Sequence, residues 1–143
     1  MRQEMLKSRW FAAACGAAVM AAAMTGTRLW AAEKPSAETV FSELLPNAPG
    51  KRLTIVRVKY PPGGKSQSHA HAGSVFAYVL SGAVRSENSV TGPEKVYQAG
   101  EGFFEPPGSV HEVSENASTT EAASLLAIFV ADDGAQLTRP SSQ

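Results

Sequence analysis

Cysteine is nearly absent from this 143-residue chain: only Cys15 occurs, which excludes an internal disulfide and any cysteine-rich metal site. Net charge is absent too, with 13 basic and 13 acidic side chains, so no bulk attraction draws the chain to nucleic acid or to an anionic membrane. The apolar run Trp10–Met24 falls short of the roughly 20 residues a membrane-spanning helix needs. No internal repeat, heptad pattern or long charge run occurs, and no helical segments alternate with the short β-branched stretches. A Rossmann fold and a helix bundle are thereby excluded.

What is present is unevenly distributed. Arg2, Lys7 and Arg9 precede the apolar run, and the small residues Ala31 and Ala32 follow it, so residues 1–32 are expected to be a cleaved secretory signal peptide. Cys15 lies inside the run rather than after it, which argues against a lipid anchor. Cleavage removes four basic residues and one acidic residue, leaving 9 against 12 and a net charge of −3. The expected mature protein is secreted or periplasmic, free of thiols and free of any membrane segment. It retains enough residues for one domain with a core of its own.

Residues 33–50 are expected to form an N-terminal extension holding a short helical turn near Ser36–Leu45, between Pro35 and Pro46. Residues 51–132 read as a β-domain and 133–143 as a C-terminal tail. Strands are expected at 53–60, 75–81, 83–88, 95–98, 102–105, 110–114 and 123–130, separated by turns rich in Gly, Pro and Asn. Short strands without intervening helices argue for an antiparallel sandwich or barrel.

The chain has three histidines, at 69, 71 and 111. His69 and His71 are two apart, so on an extended strand both rings leave the same face and form half of a metal site. His111 follows the turn Pro106-Pro107-Gly108, which can bring a strand back toward the first pair. Alone, two histidines at this spacing also occur as hydrogen-bonded surface or core residues.

Taken together, the stretches GGKSQSHAHAGSVFAYVLSG and GEGFFEPPGSVHEVSEN resemble the two motifs of the cupin superfamily over residues 53–130. The first motif, G-x5-H-x-H-x3,4-E-x6-G, is met by Gly63, His69, His71 and Gly82. The second, G-x5-P-x-G-x2-H-x3-N, is met by Gly100, Pro106, Gly108 and His111, with Asn116 displaced by one or two positions. The resemblance implies a one-domain, all-β antiparallel cupin barrel of jelly-roll type. It also implies that His69, His71 and His111 ligate one divalent transition-metal ion (Fe, Mn, Ni, Cu or Zn). A homodimer is a further implication, for which the alternate apolar residues Phe76, Tyr78 and Leu80 offer an outer face.

One departure bears on chemistry. The family's metal-binding glutamate belongs at position 75 or 76, where this chain has Val75 and Phe76. The three-histidine set that remains resembles that of some thiol and diketone dioxygenases of the superfamily. Glu105, just ahead of the Pro-Pro-Gly turn, is the candidate replacement carboxylate and candidate catalytic residue; its alternative is a solvent-facing strand position. Glu112 has the wrong parity to face the metal. Gln67 shares the parity of His69 and His71 and is a candidate to orient a ligand or water, or else a surface residue.

The same alternation puts Val75, Ala77 and Val79 inside the barrel, with Phe103, Val113 and Phe129 as further lining candidates. On the first long strand either face, that of Thr54, Val56, Val58 and Tyr60 or that of Arg57, can be the inner one. An inward Arg57 would suit a substrate carboxylate, an outward one a solvated rim. The expected function is that of a metal-dependent oxidoreductase, dioxygenase-like, acting on a small oxygenated organic substrate. A non-catalytic small-molecule or metal-binding module and a metal-assisted isomerase or decarboxylase are the alternatives.

Overall fold

The computed structural model describes residues 33–141. The expected signal peptide and Cys15 lie outside the described residues. Among the described residues ten strands are present: β1 (Ser36–Leu44), β2 (Lys51–Tyr60), β3 (His69–His71), β4 (Ser74–Ser81), β5 (Ala83–Asn88), β6 (Gly92–Gln98), β7 (Gly102–Glu105), β8 (Val110–Asn116), β9 (Ala123–Asp132) and β10 (Thr138–Pro140). They form two five-stranded sheets, ordered β1-β2-β9-β4-β7 and β10-β3-β8-β5-β6, with every pairing antiparallel. No helix occurs among the described residues.

Period-2 alternation builds the core. On β4, Val75, Ala77 and Val79 are buried to within 2% of full cover, whereas Phe76, Tyr78 and Leu80 face out at 44%, 39% and 42% exposure. Their inner partners on β9 are Leu125, Ala127 and Phe129, with Val84 and Phe103 closing the space between the sheets. On β2 the face of Thr54, Val56, Val58 and Tyr60 is the inner one; Arg57 points outward and lies 3.9 Å from Glu38. At the β4–β5 corner Gly82 holds φ +68, and a Cβ there would stand 2.6 Å from the Ala122 carbonyl oxygen, so a side chain is excluded twice over.

The helical turn expected near Ser36–Leu45 is instead strand β1, paired with β2 from Ser36↔Lys59 to Leu44↔Arg52. The free edge of β2 satisfies the backbone of this segment better than one isolated turn of helix, and Thr39, Val40 and Phe41 suit a strand. A bulge absorbs Val40. β10, inside the stretch read as a tail, adds to the edge of β3.

Strand β8 also carries a bulge. Asn88 pairs with His111 and Glu87 with Val113, which leaves Glu112 as an extra residue on β8. Inward parity therefore passes from His111 to Ser114 and Asn116, both buried. The displacement of Asn116 from the second motif is the length of this bulge. Asn116 Nδ2 reaches the carbonyls of Glu121 (2.7 Å), Pro61 (3.0 Å) and Tyr60 (3.4 Å), while its Oδ1 accepts the Ser118 N–H at 2.9 Å. Asn116→Ala is expected to cost on the order of 2–3 kcal/mol, because it orphans buried carbonyls as well as removing bonds. Urea unfolding of the metal-free chain measures this, and a loss near zero would mean that water serves those carbonyls equally well.

Candidate metal centre

The centre is built from the inner face of the second sheet. Register sets His69 of β3 directly opposite His111 of β8, and His71 follows on the same face as His69. Ring centroids are 4.7 Å apart for His69 and His71, 5.1 Å for His69 and His111, and 6.4 Å for His71 and His111. One nitrogen from each ring can be chosen so that all three lie within 4.8 Å of one another. The Pro106-Pro107-Gly108 turn carries the chain from β7 in one sheet to β8 in the other. It is pinned to β3 by the Gly108 N–H, which donates to the His71 carbonyl at 3.3 Å.

Each ring is held by a different device. His69 Nδ1 donates to the Gln67 carbonyl at 2.6 Å, so the main chain of Gln67, not its side chain, orients this ring. His71 Nδ1 donates to the Leu137 carbonyl at 3.1 Å, with Thr138 Oγ1 at 3.2 Å. Both leave Nε2 as the lone-pair nitrogen, the arrangement that outer-shell acceptors impose on metal-binding imidazoles. His111 stands between Ser86 Oγ, 2.8 Å from Nε2, and Glu105 Oε2, 3.2 Å from Nδ1. Phe129 packs edge-on against His71 at 5.2 Å, and Phe103 against His111 at 5.7 Å.

Glu105 is 2% exposed and points inward beside the triad, not toward solvent. Its partner across the β4–β7 ladder is Val75, one of the two positions where the family pattern calls for glutamate. A carboxylate thus stands on the neighbouring strand, directly across from a β4 position that lacks one. Glu105 Oε2 also lies 3.7 Å from His71 Nε2 and 3.4 Å from Asn88 Nδ2, which in turn donates to Ser109 Oγ at 2.9 Å. Glu112 is exposed, as its parity required.

Burial sets the protonation of this group. It pushes the His71 pKa down to about 4, helped by His69, and that of His111 down to about 3, helped by both other histidines. Burial pushes the Glu105 carboxyl up to about 7, opposed by the Asn88 hydrogen bond. With both imidazoles neutral at pH 7, neither approach to Glu105 is an ion pair. The donor set fits a divalent transition metal: three converging imidazoles, two of them buried and neutral, and one carboxyl group to offset charge. An ion held by all three histidines would need a His111 nitrogen that Ser86 or Glu105 now approaches.

A cavity of about 710 Å³ opens onto the triad between the two sheets. Its apolar lining includes Val56, Val58, Ala77, Phe103, Leu125 and Phe129; its polar lining includes the three histidines, Glu105, the Tyr60–Ser114 pair, Ser66, Gln67, Ser68, Thr138 and two lysines, Lys34 and Lys65. Of the lining candidates Phe103 and Phe129 reach the cavity and Val113 does not; of the three inner β4 residues, Ala77 alone does. Tyr60 Oη is 2.7 Å from Ser114 Oγ and 3.1 Å from Ser66 Oγ, and burial raises its pKa. Ser86, Asn88, Leu137 and Thr138 were missed from sequence. The first two are polar residues at inward positions of β5, a signal available from parity alone once the inner face is known; the last two carried none.

A family model described as a cupin domain matches residues 56–129. No curated protein matches the chain. Among solved structures, a conserved protein with a double-stranded beta-helix domain from Klebsiella pneumoniae superposes with TM-score 0.58 at 21% identity, covering 77% of this chain and 86% of that one. DMSP lyase DddQ from Ruegeria pomeroyi gives TM-score 0.61 at 19% identity, over 81% of this chain and 57% of the lyase. Oxalate decarboxylase from Bacillus subtilis gives 0.51 at 26% identity, over 56% of this chain and 22% of the decarboxylase. The first and second likenesses are of fold alone. Because the family match spans more than half of the chain and includes the strands that carry all three histidines, this protein belongs to the cupin family.

Proposed function

We propose that the chain is an exported, metal-dependent enzyme that removes a proton from a small oxygenated organic substrate. In this reading His69, His71 and His111 hold one divalent transition-metal ion and Glu105 is the proton acceptor. The observation that carries it is the buried Glu105 carboxyl, 3.2 Å from His111 and 3.7 Å from His71, in a site opening on a largely apolar cavity. A divalent ion there supplies Lewis acidity, which lowers the pKa of a bound enol, catechol or α-C–H group. Glu105 takes the proton, Asn88 steadies the carboxylate that results, and the apolar wall excludes water from the reacting carbon. Export rests on the basic, apolar and small-residue pattern of residues 1–32.

Two outcomes of proton removal are distinguished. In the oxidoreductase form the resulting anion goes on to react with dioxygen, as the three-histidine pattern suggests. The second form needs no dioxygen: in isomerisation Glu105 returns the proton it took to another carbon, and in decarboxylation it takes the proton of the substrate carboxyl and delivers it to the carbon that loses carbon dioxide. The likeness to oxalate decarboxylase supports that form.

Elemental analysis of the protein from its native host is expected to give about one metal ion per chain, lost in a His69→Ala/His111→Ala double variant. Metal-free native protein would end this reading. Oxygen-electrode assays with flavonols, diketones and catechols separate the two outcomes, since only the first consumes oxygen. Glu105→Gln is expected to keep the metal and lose roughly 100-fold or more in kcat; loss of the metal instead would make Glu105 a ligand.

The metal-free chain has a defined pH response. Glu105 holds its proton to about pH 7 when folded and releases it near 4.5 when unfolded, so its contribution to stability is full below 4.5 and falls as pH rises toward 7. His71 and His111 act in the opposite sense, adding stability as pH rises from about 3–4 to 6.5. Above pH 7 metal-free Glu105→Gln is therefore expected to exceed the wild type in stability by on the order of 1–3 kcal/mol, with the advantage gone below pH 4.5. Thermal unfolding in chelator across pH 4–8 measures this, and parallel curves would refute a raised carboxyl.

A further inference from the structure

His71 differs from the other two histidines in where its orienting partner comes from. His69 bonds to Gln67, two residues back on its own segment, and His111 bonds to Ser86 on the adjoining strand β5. The acceptor for His71 Nδ1 is the Leu137 carbonyl, 66 residues away, on the approach to β10. Phe129 touches the same ring edge-on but offers no acceptor. The Leu137 carbonyl takes two donors, the His71 ring N–H at 3.1 Å and the Ala72 N–H at 3.3 Å, and so uses both its lone pairs.

The segment also covers the free edge of β3. That strand has three residues and would end its sheet but for β10. Register pairs Thr138 with His71, Arg139 with Ala70 and Pro140 with His69. Ala72 N–H bonds Leu137 on one side and Ser141 N–H bonds Ser68, at 3.3 Å, on the other. Antiparallel bonds recur every second residue, so Arg139 and Ala70 are the hydrogen-bonded pair between them, and Pro140 occupies a position where no N–H is needed. Ser141 Oγ further bonds Ser68 Oγ at 2.9 Å.

We propose that Leu137–Ser141 is a positioning element of the three-histidine centre. Its main chain fixes the His71 ring with Nδ1–H outward and Nε2 toward His69 and His111, and it holds the histidine-bearing strand by its edge. The part played toward a metal rests on the function proposed above; the fixing of the ring does not.

Arg139 gives a clean test in the full chain, because its side chain is exposed and its N–H lies at the bonded position. Arg139→Pro removes that N–H and breaks the pairing; Arg139→Ala removes the same charge and keeps the pairing. Affinity for Ni²⁺ and Co²⁺, read by chelator competition, is expected to fall roughly 10- to 100-fold in Arg139→Pro, with an altered Co²⁺ visible spectrum, and to stay unchanged in Arg139→Ala. Equal affinities in all three proteins would overturn the proposal.

Imidazole ¹⁵N NMR of the metal-free chain supplies an arm independent of metal and of how well Arg139→Pro folds. A fixed Nδ1–H tautomer of His71 in the wild type supports the proposal, and a tautomer mixture overturns it. Wild type that binds neither ion defeats the metal reading alone, and the NMR arm then decides the role of Leu137–Ser141.

Discussion

The centre depends on the antiparallel register of β3 and β8. Setting His69 opposite His111 fixes the distance between two of the three imidazoles by the geometry of a β-ladder, and the two-residue spacing to His71 fixes the third. Neither distance depends on side-chain packing far away. What the rest of the barrel must do is keep that register, and it does so by pinning β3 at three points. The Gly108 N–H bonds the His71 carbonyl, β10 covers the edge, and β8 holds the other side. A slip of one residue would turn His69 and His71 to the outer face together.

Register alone would make a histidine cluster, not a site poised for an ion. The apolar wall of the cavity and the rings of Phe103 and Phe129 desolvate His71 and His111 until neither holds a proton at neutral pH. The same desolvation keeps a proton on Glu105. Two neutral buried imidazoles and His69, beside a carboxyl that can ionise, are an arrangement to which a dication would bring the missing charge. Its arrival reverses the effect of burial on Glu105, because a nearby positive charge favours the carboxylate.

Much of this was legible in sequence, for a physical reason: strands write their facing into alternate residues. Val75, Ala77 and Val79 read as inner because apolar residues filled both parities and the histidines fixed which one was inside. Strands β2 and β4 to β9 follow from such alternation and from turn residues, whereas the three-histidine set is what the resemblance of two spaced motifs to a known family implies. β1 and β10 escaped because their pairing is decided by the free edges of β2 and β3, not by their own pattern; every residue of β1 is exposed, so it carries no inner face to read. The inner face of β2 was ambiguous because both parities carry apolar residues and its polar Thr54 is buried. Asn116 looked displaced because a bulge at Glu112 is invisible until the partner strand is known.

Glu105 shows why a motif can be broken while its geometry is kept. Val75 and Glu105 are partners across one ladder, so their side chains leave the same face about 5 Å apart. Moving a carboxylate from one to the other preserves its side of the barrel and shifts its origin from β4 to β7, next to the turn that delivers His111. From there its carboxylate still comes within 3.2 Å of His111. A one-dimensional motif registers this as loss of a ligand position, whereas the ladder registers a sideways step. The step has a chemical consequence. On β7 the carboxyl is bonded to Asn88 of β5 and, through it, to Ser109 of the β7–β8 turn, and so is held by polar groups outside the first sheet's apolar core. A group held this way has a polar neighbour at hand whether or not it carries its proton.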